Sequence, residues 1–227
     1  MIQSIEKVNA VLIRFLQLIY LNFLWIVVTV LGLGIFTIGP ATYAMSSIFR
    51  RWIRSKDQFP LTKTYFAYFK ENYKESVFMS WIYIVAGGIL TVDLMYVSNW
   101  YLRVLLFIIC FFYVISLIYI FPIMAHYSWQ GYAIKIKMAF LFGFAQLQYT
   151  AVYILFIGIT YWFIGQFLPG IFTFVGSSFL IFASTWTALQ VFRILEAESI
   201  KDVEHKTIIK RAKEKIDEKR KIFKVRS

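Results

Sequence analysis

The sequence predicts an all-α fold, a polytopic membrane helix bundle of about six transmembrane helices, or five, with amphipathic cytoplasmic helices. The chain has 227 residues, of which 60% are hydrophobic, 20% aromatic and only 16% charged. The charges cluster and leave apolar stretches of about 20 residues, the length of helix that crosses the hydrocarbon core of a bilayer. No water reaches the backbone there, so these stretches are predicted to be helices.

The first apolar stretch, residues 15–49, is 35 residues long, which is too long for one span and slightly short for two. Three glycines and a proline interrupt it: Gly32, Gly34, Gly39 and Pro40. Proline suits the first turn of a new helix. We therefore predict two crossings joined by a re-entrant hinge at these four residues, the second crossing (40–54) being only ~22 Å long. The alternative is one long tilted helix kinked at Gly-Pro, with the N-terminus outside.

Four later stretches are each long enough for one crossing: 77–97, 104–125, 147–168 and 171–192. Between them, segments 62–76 and 127–146 place apolar residues at helical spacing, with lysines such as Lys135 and Lys137 off that face. Each segment predicts a helix lying on the membrane surface. An offset of 74 residues aligns the two segments and pairs Asn72 with Gln146, which indicates an internal repeat.

Basic residues predict the orientation. Segment 50–74 carries seven of them and should be cytoplasmic by the positive-inside rule. Two crossings before this segment place Lys7 and Arg14 on the same side. The tail from Arg193 holds twelve more basic residues, so both termini are predicted to be cytoplasmic.

The chain is predicted to divide into a membrane domain, 1–193, and a basic cytoplasmic helical tail, 194–227. Basic residues beside the spans are expected to contact anionic phospholipids of the bilayer, at ~1 kcal/mol each. These are Arg50, Arg51, Arg54, Lys210, Arg211, Lys219 and Arg220. Such contacts account for the net charge of +12, so no nucleic-acid partner is predicted. Binding of a cytoplasmic partner by the tail is the alternative.

Two of the polar residues within the predicted spans are candidate functional residues. Asn22 lies in the middle of the first, where an amide either bonds across helices or lines a cavity with the 32–39 connection. Asp93 is the only acid in a span and lies four residues from its outer end. A clamp with Arg103 across the outer hairpin, or exposure at the interface, is favoured over a proton or ligand role.

Four strings resemble the motifs of one family: LNFLW (21–25), TIGPATYAM (37–45), YFKENYK (68–74) and YIFPIMAHY (119–127). In their order and spacing they are similar to the YesL-like family of small bacterial integral membrane proteins of unknown function. The resemblance implies the plasma membrane of Gram-positive bacteria and a setting beside carbohydrate-uptake and polysaccharide-degradation systems. It carries over no catalytic residue, and the long basic tail after Leu195 departs from the family pattern.

The sequence contains no phosphate-binding glycine loop, no Ser–His–Asp order and no metal-ligand spacing. We therefore expect neither an enzyme nor a cofactor. The predicted function is that of a non-enzymatic protein, accessory to or regulating a carbohydrate-uptake or envelope system. It would contact a transporter permease or another membrane protein through its cytoplasmic face. A small solute transporter or channel is the alternative.

Overall fold

The structure is a computed structural model that describes residues 2–55, 59–168 and 170–225, with side chains at 6, 8–9, 11–55, 59–168 and 170–201. These described residues form eight α-helices and no strand, which confirms the predicted all-α bundle. The helices are α1 (Ile2–Leu31), α2 (Ile38–Arg54), α3 (Leu61–Glu71), α4 (Tyr73–Tyr96), α5 (Trp100–His126), α6 (Tyr132–Ala145), α7 (Leu147–Phe167) and α8 (Ile171–Val225). Within the described residues, five helices are long and apolar enough to cross a membrane: α1, α4, α5, α7 and α8.

The first two helices, α1 and α2, form an antiparallel hairpin, which is the first hairpin of the bundle. In the first hairpin, the Arg14 guanidinium lies 5.0 Å from the centre of the Trp52 ring. Nearer the turn, Trp25 Nε1 donates to Thr42 Oγ1 at 3.2 Å. The chain therefore turns back after α1, and Arg14 lies at the same end of the hairpin as the arginines of α2. Crossing of the membrane by α2, which has 17 residues, stays a prediction.

The hinge between α1 and α2 is a tight turn at residues 32–37. Leu33 and Gly34 have φ angles of 61° and 66°, in the left-handed region that favours glycine. The ring of Phe36 lies 5.7 Å from that of Trp81, which is in the first half of α4. The hinge therefore lies part-way along α4 and not at its far end. Its position below the membrane surface stays a prediction.

α2 begins two residues earlier than predicted, at Ile38. Pro40 thus occupies the first helical turn, where its missing N–H costs no hydrogen bond. Gly39 packs against the start of α4 so closely that a Cβ atom would collide with the carbonyl oxygen of Ser76. This contact requires glycine because the obstacle is backbone.

The core of the bundle surrounds α2. Ten of its 17 residues are buried. The fully or nearly buried apolar cluster is Leu21, Ala44, Met45, Ile48, Phe49, Tyr65 and Ile181. Tyr65 holds α3 against α2 by donating to the carbonyl of Ala41 at 3.3 Å, and burial raises its pKa well above the ordinary value. Its phenol therefore stays protonated at an alkaline pH at which an exposed tyrosine ionises.

The predicted repeat is visible in the order of the elements. α4 begins at Tyr73 and α7 at Leu147, 74 residues apart, and each follows a shorter helix and precedes another long one. Asn72 (φ −126°, ψ 33°) and Gln146 (φ −129°, ψ 55°) break the helices at equivalent places with similar backbone angles. The pairing of Asn72 with Gln146 is confirmed.

α8 continues from its apolar first part into the charged tail. The chain divides into two compact units, 1–189 and 190–227. Four of the basic residues expected to contact lipid lie outside the described side chains: Lys210, Arg211, Lys219 and Arg220. The predicted division at 193/194 and the lipid contacts of the tail stay predictions.

Candidate site at the charged end of the bundle

A cavity of about 690 Å³ lies where the second half of α2, the α3–α4 junction, the end of α5 and the start of α6 meet. We call it the charged cavity. Its ionisable lining residues, apart from tyrosines, are Arg50, Glu71, Glu75, His126 and Lys135. Among the described side chains, no group of three or more His, Cys, Asp or Glu residues is placed to hold a metal ion. The cavity therefore combines both signs of charge without a metal-binding cluster in the described residues.

An ion pair holds one wall of the charged cavity. Lys135 Nζ donates to Glu75 Oε1, which joins the first turn of α6 to the first turn of α4. Lys135 is only 3% exposed and Glu75 is 23% exposed. A buried ammonium without a counter-charge costs several kcal/mol, so Glu75 favours a position of the first turn of α6 against the start of α4. The sequence pattern places Lys135 off the apolar face of this helix, and the structure shows that this lysine is buried in an ion pair.

Stacked aromatic rings form another part of the wall. The rings of Tyr127 and Trp129 are parallel within 2°, with their centres 4.2 Å apart. His126 packs on Tyr127 with a centre-to-centre distance of 4.5 Å. Gly131, at φ 101°, then turns the chain into α6. Loop 127–131 is thus held by ring contacts, and it presents flat aromatic surface beside charged groups.

Comparison with known proteins places these elements in a family. Residues 18–94 match the family described as "Protein of unknown function, DUF624". The protein YteU of Bacillus subtilis (strain 168), described as uncharacterised, is 34% identical over 166 residues, which cover 71% of this chain and 74% of YteU. The chain belongs to the DUF624 family. YesL of the same organism is 28% identical over 50% of this chain and 56% of its own length, and YesV is 25% identical over 80% and 89%. No solved structure matches.

The part of this DUF624 protein that matches the family includes the hinge, α2, α3 and nearly all of α4. It therefore includes Gly39 at the α2–α4 contact and Glu75 of the ion pair. Arg50, expected only to contact lipid, lines the charged cavity. The guanidinium of Arg51 lies 4.3 Å from the Phe59 ring centre, and Arg54 is exposed. The similarity to YesL confirms the resemblance seen in the motifs.

Asn22 lies outside the charged cavity and joins α1 to α8. The side chain is 1% exposed. Its Nδ2 donates to the carbonyl of Thr173 at 2.8 Å, and its Oδ1 accepts from the N–H of Ser178 at 3.0 Å. These two bonds use both ends of the amide. The residues that Asn22 bonds to lie 151 and 156 positions away along the chain.

We expect Asn22→Leu to destabilise the DUF624 protein by about 1–2 kcal/mol, because it removes both bonds to the α8 backbone while keeping a side chain of similar size. Thermal unfolding in lipid nanodiscs measures the effect. Phe23→Leu is the control, because Phe23 is 66% exposed on the same helix and should leave the unfolding temperature nearly unchanged. Equal unfolding temperatures for the two variants would contradict this role of Asn22.

The clamp predicted between Asp93 and Arg103 is not formed as a direct ion pair between these two described side chains. Arg103 Nη2 instead donates to the carbonyl of Val97 at 3.0 Å, just after the end of α4. An arginine there satisfies a carbonyl that the helix leaves without an intrahelical partner. Asp93 is half-buried. The hairpin between α4 and α5 is therefore closed by a bond from Arg103 to the backbone.

Proposed function

We propose that this protein is a non-enzymatic integral membrane protein that docks a partner membrane protein at its charged cavity. Its role would be accessory to, or regulatory of, a carbohydrate-uptake or envelope system. It would lie in the bacterial plasma membrane with both termini cytoplasmic. The charged cavity is the observation that carries the proposal. Arg14 and the arginines of α2 share one end of their hairpin, and the positive-inside rule favours a cytoplasmic position for that end.

The lining of the charged cavity suits a protein partner. Tyrosine, tryptophan and arginine are the residues that contribute most at protein interfaces, and this cavity has all three. The Glu75–Lys135 pair and the stacked Tyr127–Trp129 rings hold its walls in place before binding, which lowers the entropy cost of association. A permease of a sugar-uptake system is the partner proposed from the YesL-like resemblance. Arg51 and Arg54 would contact anionic phospholipids beside it.

We expect Glu71→Lys to reduce co-purification of such a permease about tenfold. Glu71 is exposed and lines the cavity, so its reversal changes the charge that a partner meets without stranding a buried group. The full chain is captured from native membranes after mild cross-linking, and the permease subunits are quantified by mass spectrometry. Lys63→Glu is the control, since Lys63 is an exposed residue of α3 outside the cavity lining. Absence of any permease, or equal loss with both variants, would refute docking at this cavity.

One observation favours the second candidate, a small solute transporter. A further cavity of about 620 Å³, which we call the inner chamber, is lined by another face of α2. Thr42 and Ser46 line the inner chamber, whereas Tyr43 and Arg50 line the charged cavity. A single short helix therefore lines both spaces, and broken helices at the centre of a bundle are typical of transporters. Saturable uptake by the purified protein in liposomes would favour this function over docking.

A further inference from the structure

We propose that the inner chamber is a binding site for a neutral molecule that has an apolar skeleton and hydroxyl groups. Its lining comes from six helices, α1, α2, α4, α5, α7 and α8, and its volume lies within the range of small-molecule sites. This inference concerns a space other than the charged cavity. It does not depend on docking of a partner.

The charge of the lining selects a neutral ligand. None of the 21 residues that line the inner chamber is Asp, Glu, Lys, Arg or His. An ion that left water for this chamber would find no counter-charge in that lining. Apolar side chains make up most of the wall, with the indole of Trp25 and the ring of Tyr83 among them, so the ligand must also carry apolar surface.

The hydrogen bonds of the lining hydroxyls select for donors on the ligand. Thr42 Oγ1 donates to Ile38 O at 2.7 Å and Ser80 Oγ to Val77 O at 2.8 Å. Ser184 Oγ likewise donates to a carbonyl of its own helix, at 2.9 Å. A hydroxyl whose proton is donated to a carbonyl can still accept through its lone pairs, one of which Thr42 Oγ1 already uses to accept from Trp25 Nε1. The lining is thus richer in acceptors than in donors, and ligand O–H groups suit it.

Ser46 supplies a second, independent observation. It lines the inner chamber, is 0% exposed, and its hydroxyl oxygen has no hydrogen-bond partner among the described residues. A buried hydroxyl without a partner costs stability, so native proteins rarely keep one. An alcohol group on the ligand both donates and accepts, and it would pair with Ser46 once rotation about χ1 turns this buried hydroxyl toward the chamber.

Two classes of molecule have the neutral apolar skeleton and the hydroxyl groups that this lining requires. A diacylglycerol-type lipid could enter from the bilayer, and a neutral sugar could enter from water. Both present hydroxyl donors together with apolar C–H surface. The experiment therefore uses radiolabelled dioctanoylglycerol and glucose as separate probes, with dioctanoyl phosphatidic acid as the charged counterpart of the lipid. The full chain is held in nanodiscs of defined composition, and equilibrium binding is measured.

Two variants address the inner chamber directly. Gly158→Leu places a side chain in the chamber wall where no atom lies within 4 Å of an added Cβ, so it should fill the space without a collision. Gly88→Leu is its matched control, because Gly88 also has open space around it but does not line the chamber. Ser46→Ala removes only the hydroxyl.

We expect saturable binding of one of the two neutral probes, and which of them binds identifies the source. Gly158→Leu should abolish that binding and Gly88→Leu should retain it. Ser46→Ala should weaken it about fivefold, as for loss of one hydrogen bond. Phosphatidic acid should bind at least tenfold more weakly than dioctanoylglycerol if the lipid is the ligand. Absence of saturable binding by both neutral probes, or unchanged binding in both Gly158→Leu and Ser46→Ala, would overturn the proposal. Because the docking test uses Glu71 and the charged cavity, failure of either proposal leaves the other standing.

Discussion

Replacement of Gly39 by valine is expected to destabilise the bundle by at least about 3 kcal/mol, or about 6–12 °C in unfolding temperature for a chain of this size. A Cβ at this position would collide with the carbonyl oxygen of Ser76 and would lie 2.6 Å from Ser80 Oγ. The Ser76 carbonyl is backbone and cannot rotate away. Relief therefore requires α2 and α4 to separate, and α2 is the helix around which the core packs.

Thermal unfolding in nanodiscs measures this effect, and Gly88→Val is the matched control. Gly88 lies in the same α4 that Gly39 contacts, and no atom lies within 4 Å of a Cβ added there. The control should shift the free energy of unfolding by less than about 1 kcal/mol, the propensity range of ordinary helix residues. If Gly39→Val unfolds at the temperature of the control, the close α2–α4 contact is not what determines stability.

Loss of Glu75 is expected to cost about 3 kcal/mol, because Glu75→Ala leaves the buried ammonium of Lys135 without its counter-charge. Lys135→Ala should cost less, since the carboxylate left behind is 23% exposed and keeps part of its hydration. The double variant should then lose less stability than the sum of the two single variants. The three variants are compared with the parent by thermal unfolding.

Neighbouring lysines provide the controls for this pair. Lys74 and Lys137 are exposed residues near Glu75 and Lys135 in sequence, and their alanine variants should change stability by less than about 1 kcal/mol. Strictly additive losses in the Glu75–Lys135 cycle would show that the two groups do not stabilise one another. Equal losses of stability for Lys137→Ala and Lys135→Ala would show that the buried Lys135 contributes no more to the free energy of unfolding than an exposed lysine.

The positions of the long helices follow from the sequence because one physical requirement sets them. About 20 residues are needed to cross the hydrocarbon core, and uncharged stretches of that length can be read directly. The predicted span 77–97 corresponds to α4, Tyr73–Tyr96, and 147–168 corresponds to α7, Leu147–Phe167. Glycine and proline likewise marked the hinge after α1, since few other residues tolerate that backbone.

The partners of individual side chains could not be predicted from the sequence. Asn22 was recognised as polar within a span, but its partners lie 151 and 156 residues away in α8. Arg103 was expected to bind Asp93, and it bonds to the carbonyl of Val97 instead. Every residue has a backbone carbonyl, so residue type gives no signal for such a bond.

The sequence by itself determined the membrane class of the protein, the positions of most long helices, the hinge after α1 and the family. Only the tertiary structure decided that α2 is the central helix, that Lys135 is buried against Glu75, and that α2 lines both the inner chamber and the charged cavity. The physical reason is that the solvent around the helices, lipid, is itself apolar. Lipid is as apolar as a protein core, so an apolar residue in a span does not reveal whether it faces lipid or another helix, and the choice is made by close packing between distant parts of the chain.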